Sequence, residues 1–184
     1  MAVATLGLIG VLVPAVSAHS ATGPYCGIYW GSLPEENDNY TSAPITSLRA
    51  GRHVCFDRLV VDLGSRVPGL PGPDGSGYRV EYVPQVTEDG SGPAVPLAGG
   101  AFIQVVVHAA GHDADGNPTY APPDRAHAVD VSGFRTFHQV ALAGTFEGQT
   151  TIGLGVRARL PFRVFILAGP GSGSRVVIDV AHKW

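Results

Sequence analysis

Charge is scarce in this chain: Asp, Glu, Lys and Arg make up only 15% of its 184 residues. Twelve Lys and Arg stand against fifteen Asp and Glu, a formal net charge of −3. Nucleic acid or an anionic membrane requires a basic face, and this balance argues against both as partners. Only two cysteines are present, Cys26 and Cys55, and no CxxC pair of the kind that builds structural zinc sites. No long window repeats apolar residues at the 3.6 period, which removes an amphipathic-helix architecture. No serine lies in a Gly-x-Ser-x-Gly elbow, so that signature of nucleophilic hydrolases is missing. Gly153-Leu154-Gly155-Val156-Arg157-Ala158 matches a dinucleotide fingerprint on paper. It lies within a strand pattern and leads to Pro161 and another strand, where a phosphate-facing helix is required.

Glycine (25) and proline (15) are plentiful, and hydrophobic residues reach 45%. The length suits one domain with a substantial core. Residues 2–15 carry no charge, with Leu6 to Val13 apolar and Pro14 ending the run. Val16-Ser17-Ala18 then places short side chains at the −3 and −1 positions of a cleavage site. The run is short for a bilayer span and suits the core of a secretory signal over residues 1–18, with a buried N-terminal strand or helix as the alternative. An even cysteine count in an oxidising compartment reads as one disulfide, Cys26–Cys55. Residues 19–48 then form a polar N-terminal arm, tied on by that bridge, with Glu35 to Asn39 as a solvated loop. The domain proper spans residues 49–184.

From Val54 onward the pattern has period two, interrupted by Gly/Pro turns. Strands are expected at 54–63, 78–83, 102–107, 134–146 (one bent at Gly144, or two), 151–157, 162–167 and 175–181. This predicts an all-β fold, an antiparallel β-sandwich of about seven or eight strands, with a β-barrel as the alternative. Arg58-Leu59-Val60-Val61-Asp62-Leu63 is echoed by Arg175-Val176-Val177-Ile178-Asp179-Val180. If these two strands are neighbours, their Arg and Asp residues can pair across strands. The segments 67–77 and 111–124 are broken by Pro and Gly and read as long surface loops, where recognition usually resides.

Chemistry has little foothold. His108, His112 and His127 flank the second loop with Asp113, Asp115 and Asp124, but in no paired metal spacing. Asp113-Ala114-Asp115-Gly116-Asn117 opens like a calcium loop, yet Pro118 stands where glycine is required. Glu81, Glu88, Asp89 and Glu147 offer carboxylates that sequence cannot place opposite one another. No catalytic residue, metal or cofactor is expected. Binding needs only exposed aromatics and donors on a rigid frame, and the alternating segments Tyr78-Arg79-Val80-Glu81-Tyr82 and Phe134-Arg135-Thr136-Phe137-His138 supply them. Tyr78, Arg79, Tyr82, Arg135 and Phe137 are the candidate ligand-binding residues.

Gly51-Arg52-His53-Val54-Cys55-Phe56-Asp57-Arg58, Tyr78 to Val83, Phe146 to Val164 and Arg175 to Trp184 together resemble the AMIN-like domain of actinobacterial exported proteins. Cys26-Gly27-Ile28-Tyr29-Trp30-Gly31-Ser32 looks like that family's opening segment. The resemblance implies a β-sandwich of the cell envelope, related to the AMIN domain that targets amidases and secretion machinery through peptidoglycan. It implies no catalytic residues. The expected function is an exported, non-catalytic module binding peptidoglycan or another wall component. A protein-interaction module docking on an envelope enzyme is the alternative, and a secreted hydrolase or metal-binding protein comes third. No stable membrane span is expected once the signal is removed.

Overall fold

The computed structural model describes residues 24–65, 76–88 and 92–184. The expected signal at 1–18, residues 19–23 of the arm, most of the loop at 67–77 and Asp89 lie outside the described residues. Nine strands are formed: β1 (Glu35–Asn37), β2 (Ile45–Arg52), β3 (Phe56–Leu63), β4 (Tyr78–Val83), β5 (Ala101–Val107), β6 (Phe137–Phe146), β7 (Gln149–Val156), β8 (Phe162–Ala168) and β9 (Ser174–Ala181). They make two sheets, ordered β1-β4-β5-β7-β6 and β2-β3-β9-β8, and every pairing is antiparallel. The sheets do not close on each other, so the fold is a sandwich and the barrel alternative is set aside.

Period-two alternation supplies the core. Leu59, Val61 and Leu63 of β3, with Val176, Ile178 and Val180 of β9, face Ile103, Val105, Ile152 and Leu154 of the other sheet. β7 departs from simple alternation because it is buried on both faces. Its outward residues Gly153 and Gly155 carry no side chain, and the segment around Leu97 and Ala98 lies against them. A Cβ at Gly155 would collide with the Ala98 carbonyl oxygen. Buried Gln139 holds that segment: its amide donates to Pro96 O (3.3 Å) and Ala126 O (2.8 Å), and its carbonyl accepts the Ala98 N–H at 2.7 Å.

The strands expected from Val54 and Phe134 begin at Phe56 and Phe137, and two segments not expected as strands form them. Glu35 to Asn37, expected as solvated loop, forms edge strand β1 because β4 offers an unpaired row of backbone groups, Glu35 lying opposite Val80. Strand β2 straddles residue 48, with Ile45 and Leu48 both in the core. A bulge between Ile45 and Ser47 shifts its alternation, which is why the segment does not read as a strand.

The repeated Arg/Asp motif becomes a cross-strand device. β3 and β9 are neighbours, and Arg58 stands opposite Asp179. Arg58 donates through Nε (2.6 Å) and Nη2 (2.9 Å) to the two carboxylate oxygens, and Arg163 of β8 reaches the same Asp179. Asp62 pairs with Arg49 of β2 instead of Arg175. A second buried carboxylate, Asp57, accepts the Thr136 and Phe137 N–H groups (2.6 and 3.2 Å) and faces His182 Nε2 at 3.2 Å. It thereby ties β3 and the end of β9 to the start of β6, across the two sheets. The Cys26–Cys55 disulfide forms as expected and pins the arm to the β2–β3 turn.

Glu35 carries the clearest pH signature. Its carboxyl is raised above the ordinary range by burial, partly offset by the N–H it accepts from Val164 (3.1 Å). The folded state therefore holds this proton more tightly than the unfolded chain. That contribution is fully present below the unfolded carboxyl pKa and is lost as pH rises through the raised folded value. Glu35→Gln keeps the acceptor and is expected to flatten the stability–pH curve in that window, with a gain of less than about 1 kcal/mol at neutral pH in urea melts.

Candidate binding cleft

A long loop packs along the edge of the larger sheet, and the gap it leaves is a largely apolar cleft. β6 is the edge strand of its sheet. Backbone bonds Leu142 N–H to Arg125 O and Ala128 N–H to Val140 O, each 2.8 Å, cover that edge with the returning end of the loop. A bulge in β6 between Leu142 and Gly144 frees carbonyls there. Arg125 takes them, donating through Nε to Leu142 O (3.3 Å) and through Nη2 to Ala143 O (2.6 Å). At the loop's other end, Thr119 donates its hydroxyl proton to Ile45 O at 2.6 Å, and Gly111 N–H reaches Thr145 Oγ1 at 3.0 Å.

The loop tip is self-contained. Asp113 Oδ1 accepts the N–H groups of Asp115 (3.0 Å) and Asn117 (2.8 Å), and the Asn117 side-chain amide reaches Oδ2 at 3.1 Å. The Asn117 side-chain bond, with these backbone donors, lowers the Asp113 carboxyl below its usual value. The calcium-like run is thus explained by a turn that consumes its own carboxylate.

The cleft is open to solvent and has a volume of about 610 Å³. Its floor is Ile45, Leu142 and Ala143, its walls include Tyr120, Pro122 and Phe146, and Glu88, His112 and Arg125 stand among its polar lining residues. Phe146 closes β6 and is 59% exposed. The β6–β7 hairpin turns through Glu147 (φ 49°) and Gly148 (φ 78°), the two positive φ values a two-residue type I′ connection requires. That tight turn holds Phe146 at the strand end, opposite Gln149. Beyond Phe146 a shallower groove of about 270 Å³ continues, lined by Thr87, Gln104, Glu147, Gln149 and Thr151, with Glu88 and Phe146 common to both. Gln149 donates to Tyr40 OH at 3.0 Å, and Tyr40 stacks on His108 with ring centroids 4.4 Å apart. An apolar cleft thus opens past an exposed ring into an amide- and hydroxyl-lined groove.

The five residues expected to bind ligand do not share one surface. Tyr78 and Tyr82 are half-buried and pack against the core. Burial raises both phenols above their ordinary value. The Tyr82 hydroxyl donates to Leu160 O (2.7 Å) and accepts from Leu160 N–H (2.9 Å), so its polar atom is already used. Phe137 is 1% exposed and lies in the core. Arg79 is exposed and pairs with Glu81 at 2.9 Å. Arg135 is exposed just before the start of β6, near the Phe137–Val156 end of the hairpin and away from Phe146. The histidines do not converge: His108 bonds Asn39 O, His112 bonds Asp113 O and His127 bonds Asp124. Among the described residues no group of three or more His, Cys, Asp or Glu is placed to hold a metal ion. The cleft residue missed in the sequence is Phe146; the signal that points toward it is the length of loop 111–124.

The described residues form an all-β sandwich with a covered sheet edge, a disulfide-pinned arm and a long loop framing a cleft. The AMIN-like domain model matches residues 43–182, and the chain belongs to that family. The match begins before residue 49 and takes in β2, in keeping with β2's place in the core. No curated protein and no solved structure matches the chain. AMIN-like domains are extracytoplasmic, generally non-catalytic modules associated with the cell envelope, and the disulfide fits that compartment. Among the described residues no helix is long and apolar enough to cross a membrane.

Proposed function

We propose that the chain is an exported, non-catalytic module that binds peptidoglycan through the cleft and groove beside Phe146. The observation that carries this reading is the continuity of the two surfaces. Phe146 and Glu88 line both, so an extended polymer can run from the apolar cleft into the polar groove. Sugar rings bind aromatic faces flanked by donors, and Phe146 with Gln104 and Gln149 offers that combination. The cleft suits the shorter apolar and peptide-like parts of a wall fragment. Its open polar positions are Glu88 and His112, while Arg125 is partly used by β6 carbonyls.

The test is retention of the purified, oxidised protein on insoluble peptidoglycan, beside a sandwich domain of similar charge. The parent is expected to be retained above the control and released by soluble muropeptides. Phe146→Ser is expected to weaken retention about tenfold, the effect of losing one buried aromatic contact, with unchanged thermal melting. No retention of the parent at low salt sinks the peptidoglycan reading and leaves the cleft to a protein ligand on an envelope enzyme.

A further inference from the structure

The net charge of −3 conceals an asymmetry. Four large hydrophobic side chains are strongly exposed at one end of the sandwich: Tyr29 (82%), Leu33 (77%), Val54 (88%) and Trp184 (64%). The bonds around them show that they share this end. The disulfide joins Cys26 to Cys55, beside Val54. Trp184 donates its indole N–H to Arg159 O at 3.1 Å, and Arg159 donates to Ser32 O at 3.2 Å, beside Leu33. Lys183 lies 5.0 Å from the Tyr25 ring centre.

Cations gather at the same end. Arg135, Arg157, Arg159 and Lys183 are exposed, and no carboxylate among the described residues pairs with any of them. Arg157 and Arg159 donate only to backbone carbonyls. Of the acids nearby, Asp57 is buried and Asp130 accepts the Ser132 N–H.

We propose that this end docks on an anionic lipid surface. Trp and Tyr rings favour the headgroup level, aliphatic side chains insert shallowly, and unpaired Lys and Arg meet the phosphates. Charge complementarity selects the lipid: an anionic bilayer presents a continuous layer of phosphates to four exposed cations that surround an apolar patch and have no carboxylate partner among the described residues. The cleft beside Phe146 takes no part, and the proposal stands apart from wall binding.

The experiment is flotation of the full, oxidised chain with phosphatidylcholine vesicles, with and without phosphatidylglycerol. Co-flotation is expected only with phosphatidylglycerol, accompanied by a blue shift of emission that Trp184→Phe removes. The Arg135→Glu/Lys183→Glu pair, whose side chains make no hydrogen bond in the fold, is expected to lose at least about tenfold in partitioning with unchanged melting. Val54→Ser/Trp184→Ser is expected to lose the emission shift and most of the binding. Phe146→Ser is expected to float like the parent, so failure of wall binding leaves this result untouched. Absence of binding, equal partitioning into both vesicles, or full binding by the charge-reversed pair overturns the proposal.

Discussion

Replacing Asp179 by Ala is expected to lower the unfolding free energy by about 3–5 kcal/mol in denaturant titrations. Its carboxylate is fully buried and receives Arg58 Nε at 2.6 Å and Arg163 Nη2 at 2.8 Å. Both arginine side chains are partly buried, and they stack against rings: Arg58 against Phe56 and Phe165, Arg163 against Trp30, Phe56 and Phe165. Removing the carboxylate leaves two partly desolvated cations side by side, held in place by their aromatic neighbours. Asp179→Asn keeps the shape and one acceptor and is expected to lose less. The contrast is Arg49–Asp62, a bidentate pair whose arginine is mostly solvated, where Arg49→Ala is expected to cost less than about 1 kcal/mol. Equal costs at the two sites would show that the buried pair is screened like a surface one.

Reducing the Cys26–Cys55 bond, or replacing both cysteines by serine, is expected to cost about 3–4 kcal/mol by the chain-entropy argument for a loop of this size. The two cysteines are 29 residues apart, and the loop they close contains β1 and β2. With the bridge open, the arm is held by the Gly31–Phe162 backbone pair and by the contact of Trp30 with Phe56. Urea melts of the oxidised and reduced protein measure the difference. A loss under about 1 kcal/mol would mean that these contacts alone fix the arm.

Most of the sandwich is legible in the sequence because its strands are apolar runs between Gly/Pro turns, several with clean period-two faces, as in Leu59, Val61 and Leu63. The two that escape do so for different reasons. Glu35 to Asn37 is polar on both faces, and its strand character comes from the edge of β4. Ile45 to Arg52 loses its alternation at the bulge. The Arg/Asp echo does announce the β3–β9 neighbourhood, but register decides that Arg58 meets Asp179 while Asp62 turns to Arg49. The site is less legible. Aromatic alternation in 78–82 and 134–138 does not say which side is covered: residues 134–136 precede β6, and Phe137 falls in the core. Net charge is likewise blind to arrangement: the cations of 135, 157, 159 and 183 come together only through the ends of β6, β7 and β9.

The most direct test of the binding surface is to follow backbone amide shifts of the oxidised protein while soluble muropeptide is added. Shifts are expected to concentrate at Gln104, Leu142 to Thr151 and the 111–125 loop, and to need about tenfold more muropeptide in Phe146→Ser. Shifts confined to the Tyr29–Val54–Trp184 end, or none at saturating muropeptide, contradict the assignment of the cleft as the wall-binding site.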